Sequence, residues 1–245
     1  MPSVFEQLVK EKLAQGCPVC GASDFGFQEV LWPELIADWQ LSPAEAEYTN
    51  VQQGFYCLRC KANLRAMTLA YALCQSRGWP GTLEAWVLSG SASSVKLLEI
   101  NDAFTLGQCW RDLPGRELVA YPETDMHALP FPAATFDIVV HSDTLEHVDN
   151  PVHALAECRR VLKPDGELVF TIPMIVGRMS RSRVGLHASY HGREGDQLED
   201  YRVATEFGAD AWTAVFEAGF THCSLVSLVY PASVAMVARN QTVPK

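Results

Sequence analysis

The sequence lacks three features that would assign the chain to a membrane, to the secretory route or to nucleic acid. No apolar run approaches the roughly 20 residues that a transmembrane helix needs. The first residues, Met-Pro-Ser-Val-Phe-Glu-Gln, have neither the basic start nor the apolar core of a secretory signal, so we expect a cytoplasmic protein. Basic residues are scarce, with 19 Lys and Arg against 29 Asp and Glu and a formal charge of −10. This balance argues against sequence-independent binding to nucleic acid, which needs a basic surface.

The chain does have enough apolar sequence for a packed core. Its 245 residues are 48% hydrophobic, which suits one α/β domain of ordinary size with a small appendage. We expect the eight cysteines to be reduced, because the sequence shows no export signal. Four of them are scattered through apolar sequence and are interpreted as buried thiols: Cys74, Cys109, Cys158 and Cys223.

The other four cysteines form two C-x-x-C pairs in the amino-terminal part. The pairs are Cys17-Pro-Val-Cys20 and Cys57-Leu-Arg-Cys60. Each pair can present two thiolates from a tight turn, and two such turns give a tetrahedral sulfur site suited to Zn²⁺. Four cysteine ligands leave no open position for water, so the predicted zinc is structural and not catalytic. A redox C-x-x-C and a site that has lost its metal are the alternatives at this point.

These patterns divide the sequence into three parts. Residues 1–62 are predicted to form a zinc-ribbon-like module; they hold four Lys and Arg against eight Asp and Glu, which is not the composition of a nucleic-acid finger. Residues 63–94 are predicted to be a helical connector, with apolar residues at helical spacing over 63–77. Residues 95–245 carry the pattern of an α/β domain, described next.

Residues 130–173 contain the most informative pattern of the chain, a strand followed by a helix and a second strand. The apolar run 136–140 suits a strand buried on both faces. Asp149 or Asn150 can cap the helix that follows. A second apolar run, 168–172, predicts the next strand. This order is that of a right-handed βαβ unit in an open α/β sheet.

The stretch resembles the second half of class I methyltransferases that use S-adenosylmethionine (SAM), of the methyltransferase type 11-like kind. The residues that carry the resemblance are Leu-Pro-Phe-Pro-Ala-Ala-Thr-Phe-Asp over 129–137, Leu-Glu-His-Val over 145–148 and Arg-Val-Leu-Lys-Pro-Asp-Gly over 160–166. The resemblance implies a Rossmann-like open, mostly parallel sheet with helices on both faces and a C-terminal antiparallel hairpin, here preceded by the small zinc-binding module. It also implies SAM as the cofactor and methyl transfer as the activity.

The resemblance places the cofactor beyond the first strand of this domain, predicted over 95–100. Glu99 fits the acidic position at the end of that strand, and a Gly-x-Gly-x-Gly loop follows in the family. In this chain the three glycine positions hold Asn101, Ala103 and Thr105. Glycine lets the backbone approach the cofactor closely; Asn tolerates a left-handed backbone, whereas Ala and Thr add Cβ atoms. This loop is the largest departure from the family pattern.

Further cofactor contacts are predicted after the next strand, over 117–121. Glu123 follows Glu99 by 24 residues, close to the offset of about 20 that is typical of a ribose-binding carboxylate. Asp125 and Met126 match the place where the family contacts adenine, with a carboxylate for the amino group and an apolar side chain over the ring. No full helix fits before the strand at 136, so this part of the domain is compressed.

The loop after strand 136–140 carries polar residues. Ser142 and Asp143 are expected beside the cofactor, because ligands lie beyond the carboxyl ends of parallel strands. His147 follows shortly afterwards. It is interpreted as a group that satisfies nearby backbone, with a general base as the alternative.

Residues 174–207 form a long polar insert, predicted to be a lid or an acceptor loop. Tyr190 and His191 are the candidates for groups near the acceptor, with His191 or His147 as the base. The first half of the insert is basic and suggests an acceptor with an anionic group; a solvated loop with balanced charges is the alternative. The arginines on which this interpretation rests are Arg178, Arg181, Arg183 and Arg193.

The carboxyl-terminal sequence is predicted to complete the domain. A helix is expected over 208–218, with Trp212 and Phe216 among its inward residues. Two strands are expected over 222–230 and 233–239, as the antiparallel hairpin that commonly closes this fold.

The leading functional hypothesis is SAM-dependent methylation of a small hydroxylated acceptor, such as a sugar, a glycan precursor or a secondary metabolite, at oxygen. A subset of the family with a zinc-knuckle start and a glycine-poor first loop is tied to such settings, and the chain resembles that subset. Two alternatives stay open. One is a non-catalytic zinc-bearing binding module on a decayed methyltransferase scaffold. The other is a ribosomal RNA methyltransferase, against which the acidic balance weighs.

Overall fold

A computed structural model of the chain describes residues 4–103, 105–190 and 199–240. The chain divides into two compact units. The first takes its residues from Met1–Ala92, Phe104–Arg111 and Val226–Ala235, and the second from Ser93–Ala103, Asp112–Leu225 and Met236–Lys245. Within the described ranges, no helix combines the length and the apolar character needed to cross a membrane.

The first unit consists of short helices around a two-stranded sheet. Its elements are α1 (Val4–Lys12), β1 (Phe25–Phe27), α2 (Pro33–Asp38), α3 (Pro43–Gly54), β2 (Phe55–Cys57), α4 (Leu64–Ser76), α5 (Leu83–Leu88) and α6 (Thr105–Trp110). β1 and β2 pair antiparallel, with Phe25 opposite Cys57. The rings of Phe25 and Phe55 stack with their centroids 5.3 Å apart, which gives this small sheet an apolar centre.

Two helices of this unit begin at side-chain caps that their sequence encodes. Asn63 accepts a hydrogen bond from the backbone N–H of Ala66 at 2.9 Å and starts α4, which confirms the helix predicted over 63–77. Ser42 and Glu45 form a reciprocal capping box at the start of α3. Local hydrogen bonding therefore fixes where both helices begin.

The second unit is built on a six-stranded sheet. Its elements are β3 (Leu97–Ile100), β4 (Arg116–Val119), β5 (Phe136–Ser142), α7 (Pro151–Val161), β6 (Leu162–Thr171), β7 (Met174–Ile175), β8 (Arg181–Ser182), β9 (Thr205–Gly208) and α8 (Trp212–Glu217). The hairpin strands β10 (His222–Val229) and β11 (Ser233–Arg239) follow; their residues within Val226–Ala235 are counted in the first unit. The strand order is β10-β11-β6-β5-β3-β4. β4, β3, β5 and β6 run parallel, and the hairpin adds the antiparallel edge.

The sheet confirms the predicted α/β fold with its largely parallel centre. The strands predicted at 95–100, 117–121 and 136–140 are present as β3, β4 and β5, and the hairpin is present as β10 and β11. Residues 120–135, all of which the structure describes, contain neither a helix nor a strand. The compression that the sequence predicts between β4 and β5 is therefore confirmed.

Two boundaries differ from the prediction, because strand pairing overrides the local pattern. β6 begins at Leu162 and not at 168, with a register irregularity where it first meets β5. The helix expected from 208 begins at Trp212, since Thr205–Gly208 is the central strand of a small sheet ordered β7-β9-β8. A Cβ on Gly208 would meet the carbonyl oxygen of Arg178 at 2.2 Å, so glycine is needed there by a close backbone approach.

The orientation predicted for α8 is wrong for its two aromatic residues. Trp212 is 43% exposed and Phe216 44% exposed, and their rings contact each other edge to face at 5.9 Å. Ala214 and Val215 supply the buried face of the helix instead. The helix starts late and is six residues long, so its buried face consists of these two residues.

Candidate functional site

The parallel strands bring the predicted cofactor residues to one edge of the sheet. Ile100 at the end of β3 lies opposite Val119 of β4 and His141 of β5. Ser142 lies opposite Thr171 at the end of β6. The segments that follow these strands therefore all leave the sheet at its carboxyl edge, where ligands bind in open α/β folds.

Glu99 forms hydrogen bonds with the loop that follows β3 at this edge and with the neighbouring strand. Its side chain is fully buried, and its carboxylate accepts hydrogen bonds from the backbone N–H of Ala103 at 2.8 Å and from the Nε of Arg116 at 2.7 Å. The ion pair with Arg116 compensates the burial of the carboxylate. Arg116 was missed by sequence reasoning; its one signal is a basic residue at the start of the neighbouring strand.

The glycine-poor loop follows Glu99 in a defined conformation. Asn101 has a φ of +55°, the left-handed conformation that asparagine tolerates, and its Oδ1 accepts from the backbone N–H of Tyr121 at 2.9 Å. Ala103 is only 5% exposed, so its methyl group is packed inside the protein. Thr105 is the first residue of α6. The Cβ of Ala103, expected to face the cofactor, is thus not on the exposed surface of this edge.

The segment after β4 holds the residues predicted for ribose and adenine. Glu123 is exposed, whereas Met126 is 5% exposed. Asp125 Oδ1 accepts hydrogen bonds from the backbone N–H and from the ring Nδ1 of His127, both at 2.8 Å, and these bonds hold the pKa of Asp125 below its usual range. The carboxylate is therefore ionised and fixed in direction.

The amino-terminal end of α7 holds this segment from the other side. His127 Nε2 accepts from the backbone N–H of Asn150 at 3.3 Å, and the carbonyl oxygen of His127 accepts from Nε2 of His153 at 3.0 Å. The hydrogen-bonding pattern assigns a proton to Nδ1 of His127, which faces Asp125. His127 and His153 were not predicted as site residues.

The Leu-Pro-Phe motif is tied to α7 by Arg160. Its guanidinium donates to the carbonyl oxygens of Phe131 at 2.7 Å and Leu129 at 2.9 Å. Glu157 accepts from the backbone N–H of Leu129 at 3.0 Å and pairs with Arg160, which lowers the pKa of Glu157. These two parts of the family motif therefore meet in space and shape the loop before β5.

The end of β5 turns sharply at Asp143. This residue has a φ of +43°, and its backbone N–H donates to the carbonyl oxygen of Thr171 at 3.1 Å. Ser142 Oγ lies 2.8 Å from Thr171 Oγ1. A non-glycine residue held in the left-handed region stores backbone strain, which proteins concentrate at functional sites.

Two of the three predicted acceptor-side residues meet at the backbone of Arg202. His147, in a short 3₁₀ turn over Leu145–His147, places its Nδ1 3.0 Å from the carbonyl oxygen of Arg202. Tyr190 forms an antiparallel β-bridge with the same residue. Burial lowers the pKa of His147. His191 lies outside the described residues.

Two of the predicted basic residues of the insert are engaged within the protein. Arg181 and Arg183 both bond the carboxylate of Glu206, whose side chain is 7% exposed. Arg193 lies outside the described residues. An anionic acceptor stays a prediction, and these two guanidinium groups already share one buried carboxylate as their partner.

The four cysteines of the first unit form one cluster. Their sulfur atoms all lie within 4.8 Å of one another, with 3.7 Å between those of Cys17 and Cys60 and 3.6 Å between those of Cys20 and Cys57. Zn–S bonds of about 2.3 Å in a tetrahedron give S···S separations of about 3.8 Å, so the spacing fits one tetrahedral ion. The hydrogen bond to Cys60 and burial raise the pKa of the Cys17 thiol.

The Cys-x-x-Cys turns of this cluster, here called the first knuckle (17–20) and the second knuckle (57–60), also cap a helix. The backbone N–H of Leu83 donates to the carbonyl oxygen of Pro18, and that of Glu84 to Val19, both at 2.9 Å. Arg59, from the second knuckle, donates to the carbonyl oxygen of Cys20 at 2.9 Å. The turn of the first knuckle thus satisfies the free N–H groups at the start of α5.

The chain was compared with known proteins. Residues 82–170 match a family described as "Methyltransferase domain". The ubiquinone/menaquinone biosynthesis C-methyltransferase UbiE of Idiomarina loihiensis is 30% identical over 164 residues, covering 60% of this chain and 63% of that protein. UbiE of Blochmanniella pennsylvanica is 42% identical over 84 residues, covering 34% of this chain and 33% of that protein. The chain thus spans less than two thirds of the length of either relative.

Solved structures were also compared. A SAM-dependent methyltransferase of Thermotoga maritima, described as a possible histamine N-methyltransferase, is 18% identical, with a TM-score of 0.38 over 64% of this chain and 88% of that chain. The trans-methyltransferase CalH, in complex with S-adenosylhomocysteine, is 15% identical, with a TM-score of 0.42 over 80% of this chain and 58% of that chain. By the family match and the UbiE relatives, the chain is similar to methyltransferases over part of its length, with residues 82–170 as the stretch that matches a methyltransferase domain.

Proposed function

We propose that this protein transfers a methyl group from SAM to an oxygen of a small hydroxylated acceptor, such as a sugar, a glycan precursor or a secondary metabolite. The methyltransferase domain supports the transfer and the cofactor. The observation that carries the proposal is the carboxyl edge of the sheet. There the loop at Asn101, the carboxylates after β4 and the strained turn at Asp143 come together at the ends of parallel strands.

The residues at this edge fit SAM. Glu123 has an exposed carboxylate that can accept from ribose hydroxyls, and the ionised carboxylate of Asp125 can accept from the adenine amino group. Ala103 stands where the family has glycine, and because it is only 5% exposed its methyl group does not project from this edge. SAM, when bound, supplies an activated methyl group, and the protein aligns the acceptor with it and excludes water.

His147 is proposed as the general base for the acceptor hydroxyl. The carbonyl oxygen of Arg202 can only accept, so Nδ1 of His147 carries the proton and Nε2 has the lone pair of the neutral ring. Burial lowers the pKa of the imidazole, which keeps it neutral at pH 7. As the acceptor oxygen takes the methyl group, its proton passes to Nε2, where the carboxylate of Glu146 lies 3.5 Å away and stabilises the imidazolium.

Tyr190 is proposed to lie at the acceptor, because its bridge to Arg202 places it on the same segment that fixes His147. His191, the next residue, is the other candidate base. The acceptor assignment rests on this grouping and on the resemblance to family members with small hydroxylated acceptors.

Zn²⁺ is proposed as the structural metal of the first unit. Cys17, Cys20, Cys57 and Cys60 offer four sulfurs at the spacing of a tetrahedral site. A closed set of four thiolates leaves no position for substrate, so the metal stabilises the module and takes no part in the transfer. The clustering of all four sulfurs favours this function over a single redox C-x-x-C.

A second candidate is transfer to carbon. The observation that favours it is the match to relatives named as C-methyltransferases, one of which aligns with 60% of this chain. A carbon acceptor also has to lose a proton, so the same base would serve. The two candidates differ in the bond that is formed and not in the cofactor site.

The test is product analysis. The protein is incubated with SAM bearing a ¹³C-methyl group and a panel of sugars, phenols and quinols. Mass spectrometry detects the gain of one methyl group, and ¹³C NMR shifts separate O-methyl from C-methyl products. His147→Asn, which keeps a donor near Arg202 but removes the base, should slow turnover by about 10²–10⁴-fold without changing S-adenosylhomocysteine affinity.

The matched control is His222→Asn on the hairpin, which should keep full turnover. A C-methyl product with no O-methyl product would replace the oxygen acceptor by carbon. Full turnover of His147→Asn would remove His147 as the base and leave His191 as the candidate.

A further inference from the structure

Glu206 is a buried carboxylate that sits between two arginines of the insert. It lies in β9 and is 5% exposed. Arg181 approaches it as a fork, with Nε 2.6 Å from Oε2 and Nη2 3.0 Å from Oε1. Arg183, whose side chain is only 5% exposed, bonds Oε1 through Nη1. One carboxylate thus fixes two guanidinium groups from a different strand.

This arrangement is informative because a buried charge is costly unless it is fully paired. Arg183 makes a second hydrogen bond besides the one to Glu206: its Nη2 donates to the carbonyl oxygen of His187 at 2.6 Å. It therefore holds the turn over 184–187 as well as the strand pairing, and Glu206 is the anion around which that turn is built.

The strand pairing starts at Glu206 and continues to Arg202. Arg181 lies opposite Glu206 in the register of β8 and β9, and the backbone N–H of Arg183 donates to the carbonyl oxygen of Ala204 at 2.8 Å. After the turn, the N–H of Val203 donates to the carbonyl oxygen of Ser189 at 2.9 Å. The bridge between Tyr190 and Arg202 comes next along the same segment.

The other edge of this segment contacts the 3₁₀ turn that carries His147. The backbone N–H of Ala204 donates to the carbonyl oxygen of Glu146 at 2.7 Å, and the carbonyl oxygen of Arg202 accepts from His147 at 3.0 Å. Residues 202–206 therefore lie between residues 181–190 of the insert on one side and the turn at 145–147 on the other. Whatever fixes this segment also fixes the tautomer of His147 and the place of Tyr190.

We propose that Glu206 is a positioning residue of the acceptor site, which acts through Arg181, Arg183 and the segment 202–206 on His147 and Tyr190. The importance of the His147 tautomer rests on the function proposed above. In this arrangement Arg181 and Arg183 serve the fold of the insert, and they are not ligands for an anionic group on the acceptor.

The experiment uses the full chain and needs no acceptor. Glu206→Gln removes the charge at nearly constant volume, Glu206→Asp keeps the charge on a shorter side chain, and Glu217→Gln makes the same charge change at an exposed position of α8. ¹⁵N NMR reports which ring nitrogen of His147 carries the proton, and amide hydrogen exchange is followed at Val203 and Ala204. Calorimetry with S-adenosylhomocysteine reports the cofactor site separately.

The unaltered protein should show the Nδ1–H tautomer of His147. Glu206→Gln should lose it and should exchange the Val203 and Ala204 amides at least about tenfold faster, with cofactor affinity within about twofold. Glu206→Asp should retain the tautomer in part, and Glu217→Gln should retain it fully. Slow exchange and an intact Nδ1–H tautomer in Glu206→Gln would overturn the proposal.

A further variant keeps the test decisive if Glu206→Gln does not fold. Arg181→Gln removes the more exposed of the two arginines and leaves Arg183 on Glu206. It should give intermediate exchange at Val203 and Ala204, and unchanged exchange there would contradict the proposal. Failure of the unaltered protein to bind S-adenosylhomocysteine would instead contradict the proposed function. The measurement of the His147 tautomer would still test whether Glu206 positions His147.

Discussion

The four-cysteine cluster and the polar insert over 174–207 are organised in opposite ways. In the cluster, two local turns supply all four sulfurs, and the pattern Cys-x-x-Cys encodes each turn in four residues. In the insert, the ordering contacts join residues far apart in sequence, such as Arg181 to Glu206 and His147 to Arg202. The comparison shows that a site can be predicted from sequence when its geometry is set by a short local motif. It cannot be predicted in this way when it depends on contacts between residues far apart in sequence.

The strongest test of the local site is Cys57→Ser. Loss of one thiolate opens the tetrahedral set, and because metal binding and folding are coupled, the variant should lose zinc and unfold the first unit; structural zinc contributes on the order of 10 kcal/mol. Zinc content by mass spectrometry and far-UV circular dichroism measure the two effects. Cys223→Ser, outside the cluster, should keep one zinc per chain. Unchanged zinc in Cys57→Ser would show that the ligand set is wrong.

The carboxyl edge of the sheet depends both on local motifs and on strand pairing. Glu123→Ala tests whether this edge binds the cofactor. Removal of a charge-assisted hydrogen bond to ribose should weaken S-adenosylhomocysteine binding by about 1–3 kcal/mol. Glu117→Ala, an exposed acidic residue of β4, makes the same change of charge and should leave binding unaltered. Equal affinities of the two variants would remove Glu123 from the site.

His141 gives a test of the sheet interior through pH. It is fully buried, stacks on Phe170 at 4.8 Å, and has no hydrogen-bond partner for either ring nitrogen among the described residues. Burial lowers its pKa to about 3. The unfolded chain takes up the proton near pH 6.5 and the folded chain does not, so stability is full above pH 6.5 and falls as the pH drops toward 3.

At pH 5 this linkage lowers the free energy of unfolding by about 2 kcal/mol relative to pH 7. His141→Leu should remove that part of the acid sensitivity and should also relieve a buried polar group without a partner. Urea denaturation at pH 7 and pH 5 measures the change in the free energy of unfolding for both proteins. The same pH difference in both proteins would mean that His141 is protonated, or hydrogen-bonded, in the folded state.

The smallest effect is expected at the glycine-poor loop. Because the methyl group of Ala103 is buried, Ala103→Gly should leave S-adenosylhomocysteine affinity within about twofold, while the added backbone freedom lowers stability by roughly 0.5–1 kcal/mol. Titration calorimetry and thermal denaturation separate the two. A marked gain in affinity would show that the side chain obstructs the cofactor after all.

The sequence was sufficient for the parts of the fold that repeat a local pattern. The apolar runs predicted β3, β5 and the hairpin, and Asn63 predicted the start of α4. The match to the family motifs is explained by contacts within this structure, since Arg160 bonds Leu129 and Phe131. These residues are recognisable because each motif is a short run of adjacent positions.

The parts that sequence reasoning missed depend on partners that no local pattern reveals. Arg116 is an ordinary basic residue until β4 lies beside β3 and brings it to Glu99. Residues 205–207 look like the end of a polar loop, and Gly208 like the start of a helix, until β7 and β8 pair with this segment. The basic character of the insert suggested an external anion because Glu206 follows its two arginines by more than 20 residues and only the fold brings them together.

The central claim is that the carboxyl edge of the parallel sheet binds an adenosyl cofactor despite its glycine-poor loop. Isothermal titration of the folded, zinc-loaded protein with S-adenosylhomocysteine tests it most directly. We predict binding of one molecule per chain that Glu123→Ala weakens and Glu117→Ala does not. No binding at millimolar ligand would contradict the enzymatic account and leave a zinc-stabilised scaffold without a methyl donor.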